Sequence, residues 1–322
     1  MIVGRPTLED VARLAGVSRS TVSRVINRQP GVAPSHRRLV QEAVVELGYR
    51  PHLAARALAS GRADTLDLII LDDDPDALSA NPHYARVLAG TVKALAGNDI
   101  RLQIHVLPTI VGSWAGTGFG AVLINVPPES AQRLRRGYGW VVSMGRSAPR
   151  VSSIEPDNAE GGRLAVDHLY RAGRRRIAVI DGPESNPCAV QRREGGLRVI
   201  REAGLEPVLV RGDFTFATAE RRTRELMAGH PDIDGIFACC DMTAAGARQA
   251  LSATGRRVPD DVAIVGFDDG IVASSSGLTS VRQTVEDNAG LAARMVLARE
   301  GRRVTVPVSL TVRESSGHHR DA

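Results

Sequence analysis

Two short apolar-periodic stretches around Ala15-Gly16-Val17-Ser18, within residues 7–27, constrain this chain more than any other feature. Leu8, Val11, Ala12 and Ala15 recur at helical spacing, and so do Val22, Val25 and Ile26. Thr7 and Asp10 have the spacing of a capping box. Gly16 permits a turn that side chains resist. Ser18 then suits the N-cap of a second helix, with Val17 spaced to staple onto Val22. Helices this short do not hold alone and must bury their apolar faces on one another. The free face of the second carries Ser20, Ser23, Arg24 and Asn27, with Arg19 in its first turn. That is the layout of a helix-turn-helix, whose second helix fits the major groove of DNA. Arginine there pairs bidentately with guanine, and serine or threonine hydroxyls reach phosphates or base edges.

The following residues extend the head. Pro34 suits the first turn of a third helix, Leu39, Val40, Ala43, Val44 and Leu47 form its core face, and Gly48 ends it. Tyr49-Arg50-Pro51-His52 and a short run, Leu53–Ser60, lead to Gly61. That run is shorter than the roughly 12–15 residues at which isolated helices become marginal, so it reads as a linker that orders only against a partner. The charge is uneven. Through Arg62 stand ten arginines and four acids, +6, whereas the remaining 31 basic and 32 acidic residues give −1. The positive excess coincides with the motif that would use it against a polyanion.

No segment nears the roughly 20 apolar residues of a membrane span. The first residues, Met1 to Pro6, are too short and mixed for a signal peptide. Cys188, Cys239 and Cys240 cannot all pair internally, and their spacing fits no zinc pattern. They read as reduced core residues, which points to the cytoplasm. No metal or cofactor is expected, and a DNA-binding head would make the protein nucleoid-associated. Only Lys93 stands against 40 arginines, which reads as genomic base composition.

From Leu66 onward the chain alternates. Apolar runs at 66–71, 119–125, 176–181, 234–240 and 262–267 read as buried parallel strands. Tyr84–Ala96, Ala159–Ala172, Arg193–Ala203, Ala217–Ala228 and Met242–Thr254 read as the helices between them. Such alternation predicts doubly wound sheets and by itself says nothing of chemistry.

The residues also carry a resemblance. Thr-Leu-Glu-Asp-Val-Ala-Arg-Leu-Ala-Gly-Val-Ser at 7–18, Thr-Val-Ser-Arg-Val-Ile-Asn at 21–27, Glu-Leu-Gly-Tyr-Arg-Pro at 46–51 and Ala-Arg-Ala-Leu at 55–58 resemble the lactose-repressor (LacI-type) family of bacterial transcription regulators. Residues 157–169, 175–183, 257–269 and 278–283 extend the likeness over most of the chain. The resemblance implies a small all-α helix-turn-helix head (1–50), a hinge (51–62) and an α/β core (63–322). The core would hold two Rossmann-like parallel-sheet subdomains joined by three crossovers, as in periplasmic binding proteins. The first would span about 63–156 plus 284–306, the second about 157–283 plus 307–322.

By position, Arg19, Ser20 and Arg24 would read bases, while Thr7, Ser18, Thr21, Ser23 and Asn27 would position phosphates. Leu58 would wedge into the minor groove, a device that unstacks a base step. Ala59 stands beside it where several relatives carry a basic residue. His83, Tyr84, Asp157, Arg192, Phe214, Cys240 and Asp268 would line a small-molecule cleft between the subdomains, with Arg192 and Asp268 as its anchors.

The chain departs from the family pattern at several points. Residues 101–120 are shortened, an acidic run Asp72-Asp73-Asp74-Pro75-Asp76 lies beside the cleft, and Cys240, Gly196 and Thr284 replace an amide, an aromatic and a proline. The resemblance implies a repressor that binds palindromic operator DNA as a homodimer and answers to a sugar or related metabolite. Two other classes stand beside it. An enzyme finds no phosphate-binding glycine loop and no nucleophile elbow. A pure sugar-binding module is at odds with the basic head. The tail after Arg313 has no leucine heptads, so no tetramerising coiled coil is expected.

Overall fold

The computed structural model describes residues 7–26, 31–47, 65–74, 76–110 and 118–317. The chain forms two compact units, Met1–Asp64 and Thr65–Ala322.

In the first unit, α1 (Leu8–Ala15) and α2 (Arg19–Ile26) flank the turn, and α3 (Pro34–Glu46) packs on both. The Thr7 backbone N–H and hydroxyl both donate to Asp10, at 2.9 and 2.7 Å, and Thr7 Oγ1 accepts from the Asp10 N–H. Gly16 takes φ +63°, which releases the chain into the second helix. Ser18 Oγ accepts from the Thr21 N–H at 3.1 Å, as its N-cap position predicts. Val11, Val22, Val25, Val40 and Ala43 are buried together, with Val17, Val44 and Leu47 packed at the margin. Leu39 departs from the expected core face and is 41% exposed. The inward line of α3 runs through Val40 and Ala43, and Leu39 lies one residue round the helix. Gly48, Asn27 and the linker with Leu58 and Ala59 lie outside the described residues.

The second unit contains two six-stranded sheets. The first is built from β1 (Thr65–Leu71), β2 (Arg101–Leu107), β3 (Gly120–Ile124), β4 (Val141–Met144), β5 (Ser152–Pro156) and β11 (Arg303–Val306), in the order β11-β5-β4-β3-β1-β2, all parallel. The second joins β6 (Ile177–Ile180), β7 (Val208–Val210), β8 (Gly235–Ala238), β9 (Ala263–Asp268), β10 (Thr279–Arg282) and β12 (Ser309–Thr311), in the order β12-β10-β9-β8-β6-β7. Only β12 runs antiparallel to its neighbour. The chain therefore passes between the sheets three times, after β5, after β10 and after β11.

The helices are α4 (Ala77–Ala80), α5 (Pro82–Leu95), α6 (Pro128–Tyr138), α7 (Asn158–Arg171), α8 (Pro187–Glu202), α9 (Phe216–Gly229), α10 (Asp241–Ala253), α11 (Ile271–Ser275) and α12 (Val285–Ala298), followed by the 3₁₀ turn Glu314–Ser316. The five strands expected from apolar runs all exist. Short strands such as β4 and β7, and edge strands such as β2, escape a reading by apolar runs because they are brief or largely solvent-facing. Helix α8 begins six residues before the sequence reading placed it, because Asn186 caps it and Pro187 occupies its first turn.

Two features hold the subdomains in shape. Helices α7 and α8 cross through paired glycines: a Cβ on Gly162 would lie 1.9 Å from the Arg192 carbonyl oxygen, and one on Gly195 2.0 Å from that of Ala159. The 3₁₀ turn is anchored inside the second subdomain, where Ser316 Oγ lies 2.7 Å from both His168 Nε2 and Thr279 Oγ1.

Candidate functional site

The head presents one face of α2 to solvent. Ser18, Arg19, Ser20 and Arg24 are exposed, and Thr21 and Ser23 half-buried, while Val22 and Val25 hold the helix down. Ser18 Oγ also lies 2.8 Å from Ser20 Oγ and 2.9 Å from Thr21 Oγ1, so one hydroxyl cluster crowns the helix start. Arg19 Nε sits 3.1 Å from Glu9 Oε1, so it must exchange an exposed carboxylate for any base or phosphate it contacts. An exposed pair of this kind costs little to give up.

The second unit has a cleft between its sheets whose empty space, open solvent included, is about 720 Å³. His83, Tyr84, Arg192, Phe214, Cys240 and Asp268 all line it. Asp157 does not; its carboxylate accepts the Glu160 N–H at 3.0 Å and caps α7. The sequence reading missed Asn81, Asn125, Asn186, Gln283 and Asn288, which supply much of the polar lining.

Arg192 organises the floor. It donates to Asn158 Oδ1 at 2.9 Å and to the Cys239 carbonyl at 2.8 Å, and lies 3.4 Å from Asp268 Oδ1. Its guanidinium stacks 3.7 Å above the centre of the Phe267 ring. Gln283 Nε2 also donates to Asp268 Oδ1. Among the described residues lining the cleft, the one carboxylate is thus matched by the one guanidinium. Asp268 takes φ +113°, Asp269 +49° and Phe214 +68°, conformations that side chains adopt only when their surroundings impose them. The Phe214 ring lies against Gly182, where a Cβ would come within 2.2 Å.

The two subdomains are bridged by side chains. Asn186 Nδ2 donates to Asn125 Oδ1 at 3.0 Å, Asn125 Nδ2 to Tyr84 Oη at 2.9 Å, and Tyr84 Oη to Asp72 Oδ2 at 2.6 Å. The first residue of the acidic run thereby orients a cleft tyrosine. Arg86 on α5 forks onto Glu286 at 2.7 and 2.9 Å and donates to the Asp268 carbonyl at 3.1 Å.

The titration state is set by burial. Burial holds His83 below its ordinary value, against the opposing pull of the Asp268 charge. Burial first, and the Asp268 charge next, pushes the Cys240 thiol up to about 12, and burial likewise raises Cys188. Neither thiol is a ready nucleophile, since the thiolate is the reactive form. Asp241 lies behind the cleft, accepting from Ser280 Oγ at 2.6 Å and the Gly270 N–H at 2.9 Å. Burial and then the charge of Asp268 push it up to about 7. A carboxyl whose folded value is raised contributes its full stability only at low pH and loses it as pH climbs through the folded value. Thermal unfolding of the protein is therefore expected to shift downward between about pH 4 and about pH 7. Asp241→Asn should flatten that dependence while leaving stability at the acid end nearly unchanged. An unaltered profile in the variant would assign the dependence to another group.

Among the described residues no group of His, Cys, Asp and Glu is placed to hold a metal, and no helix is long and apolar enough to cross a membrane.

Comparison with known proteins agrees with both halves of this geometry. Residues 7–52 match the family described as bacterial regulatory proteins, lacI family, and residues 166–316 match the periplasmic binding protein-like domain. The chain is 37% identical to the HTH-type transcriptional regulator CelR of Thermobifida fusca, over 96% of each chain. It is 32% identical to the ribose operon repressor of Halalkalibacterium halodurans, over 96% of this chain and 97% of that one. Among solved structures, a transcriptional regulator CelR–cellobiose complex is 36% identical, with a TM-score of 0.73 over 97% of this chain and all of the other. The lac repressor dimer bound to operator and the anti-inducer ONPF, 23% identical, shares the fold with a TM-score of 0.79 over 98% and 100%. These full-length relatives are transcriptional regulators rather than enzymes, and the chain belongs to the lacI family of bacterial regulatory proteins.

Proposed function

We propose that this regulator is a cytoplasmic, nucleoid-associated repressor that binds a palindromic operator as a homodimer and is controlled by a neutral saccharide in its cleft. The observation that carries this reading is one chain joining a groove-fitting helix to a charge-balanced, amide-rich cleft. Asn81, Asn125, Asn186, Gln283 and Asn288 offer paired donors and acceptors, as hydroxyl groups require. The Arg192–Asp268 pair leaves no uncompensated charge to hold a phosphate or carboxylate. Likeness to a regulator solved with cellobiose makes that disaccharide the first ligand to test. A ligand bound only by the folded state raises its unfolding temperature. Cellobiose, or another neutral saccharide, is expected to do so, and sugar phosphates are not. A rise with sugar phosphates alone would contradict the reading.

On the operator, Arg19, Ser20 and Arg24 are proposed to read bases, with Thr7, Ser18, Thr21, Ser23 and Asn27 on phosphates. One such motif reads few base pairs, so two copies across a two-fold axis supply specificity. Val92 and Ile104, exposed on the first subdomain, are apolar surface that a homodimer would cover. Residues 51–62 are proposed as a hinge that orders on DNA, with Leu58 and Ala59 at the operator centre. Arg24→Ala is expected to weaken operator binding by about 1–3 kcal/mol and to relax preference at one base position. Gel-shift titration against an operator and its single-base variants reads this; an equal loss on random DNA would make Arg24 a phosphate contact instead.

A further inference from the structure

The strand-start edge of the first sheet is basic in a way that its fold does not require. Strands β1, β2, β3, β4, β5 and β11 are parallel, so Thr65, Arg101, Gly120, Val141, Ser152 and Arg303 begin along one edge. The C-termini of α5, α6 and α12 lead to that same edge. Arg101, Arg135, Arg136, Arg150 and Arg299 are exposed there, and none makes a side-chain hydrogen bond or ion pair with another described residue. Arg302 pairs only with Glu300, at 3.3 Å.

Cations near helix C-termini complement the helix dipole, which would explain some arginine at such an edge. The second sheet, built to the same plan, provides the control. Its strand starts also follow helix C-termini and also carry arginines, yet several of those are engaged. Arg176 sits 3.0 Å from Asp232, Arg257 3.1 Å from Asp261, and Arg171 3.0 Å from Asp167. Arg175 lies 4.4 Å over the Tyr170 ring and donates to the Tyr170 carbonyl. The dipole therefore does not demand unpaired cations. A cluster of like charges costs stability through self-repulsion unless a counter-charge comes to it. The unpaired edge is also the one at which the polypeptide arrives from the head, at Thr65.

We propose that this arginine edge of the core is a second, sequence-independent DNA contact that engages the phosphate backbone of duplex flanking the operator. The proposal rests on the DNA-binding reading of the head. Its chemistry is charge complementarity: duplex DNA presents one phosphate charge per about 1.7 Å of axis, and each neutralised phosphate releases condensed counterion. Because the head shares the chain with the edge, contacts too weak to bind alone act at high effective concentration once the head is seated.

The test uses the full chain with Arg135→Gln, Arg136→Gln and Arg299→Gln combined, and an operator recovered by selection from a random duplex pool. Affinity is measured over a potassium chloride series on that operator in a minimal duplex of about 20 bp and embedded in about 60 bp; each lost phosphate contact should flatten the plot of log affinity against log salt by about 0.9. On the long duplex the triple variant is expected to flatten the slope by about 2–3, with little change on the short one. The corresponding Arg→Lys triple, which keeps the charge, should restore the slope and so separates charge from folding. A second triple, Arg221→Gln, Arg222→Gln and Arg224→Gln, removes three arginines of α9 in the second subdomain and should leave the slope unchanged. An unchanged slope on the long duplex, or equal flattening by both triples, overturns the proposal. Failure of the wild type to bind any duplex would overturn the reading of the head itself, and the proposal with it.

Discussion

Gly162→Ala should destabilise the protein severely, although alanine favours a helix interior by about 1 kcal/mol over glycine. The Cβ would sit 1.9 Å from the Arg192 carbonyl oxygen, backbone that cannot swing aside as a side-chain tip can. Helices α7 and α8 must separate, which also opens the Gly195–Ala159 approach on the same crossing. Overpacking of this kind costs typically 1–3 kcal/mol and occasionally more. We expect about 3 kcal/mol here, or a fall of roughly 10 °C in unfolding temperature for a unit of this size. Gly137→Ala is the matched control, since nothing lies within 4 Å of its Cβ. It should leave stability unchanged or slightly raised. Thermal scans of both variants decide the matter, and a Gly162→Ala protein as stable as wild type would mean that the two helices are not in this register. Because the crossing seats Arg192, ligand binding should be lost along with stability.

Arg192→Ala should abolish the ligand response. The side chain spans Asn158, the Cys239 carbonyl and Asp268 and stacks on Phe267, so its removal leaves Asp268 with Gln283 as its remaining side-chain partner. Removing one partner of a buried charge pair costs about 3–5 kcal/mol. The Asp268 side chain is 17% exposed, which places the expected loss at the lower end, about 3 kcal/mol. The head is a separate compact unit, so ligand-free operator affinity should stay close to wild type while a saccharide no longer alters it. Thermal shift with cellobiose and operator titration with and without it measure the two halves. A variant that still answers the ligand would remove Arg192 from the site.

The head was legible residue by residue because its rules are local. A capping box, an αL glycine and a stapling valine all act within a few residues of one another, and Thr7, Gly16 and Val17 each stand where those rules place them. Buried strands such as β6 and β9 declared themselves through unbroken apolar runs. The cleft was half legible. Asp268 stood in a matching motif and the resemblance placed Arg192 by position, whereas Asn125 and Asn186 meet only through the folding of two sheets, and nothing local in either segment announces the pairing. Asp157 shows the opposite error: its motif places it beside the cleft, but the start of α7 takes its carboxylate as a cap. Asp67 shows a third case. Read as part of an apolar strand, it is fully buried and accepts a hydrogen bond from Tyr138 Oη at 2.5 Å, a partner distant in sequence. Nothing local in sequence marks Gly162 and Gly195, and only the crossing of α7 and α8 reveals them as the place where backbones meet.

Linkage between the cleft and the operator is the centre of this account, and reciprocity offers its most direct measurement. Affinity of the full chain for a selected operator duplex is determined with and without saturating saccharide, and saccharide affinity with and without saturating operator. Coupling between two sites on one molecule obliges both ratios to be equal, typically 5- to 150-fold. The account predicts equal ratios in that range for wild type and a ratio of one for Arg192→Ala. A saccharide that binds the cleft while leaving wild-type operator affinity unchanged would contradict it.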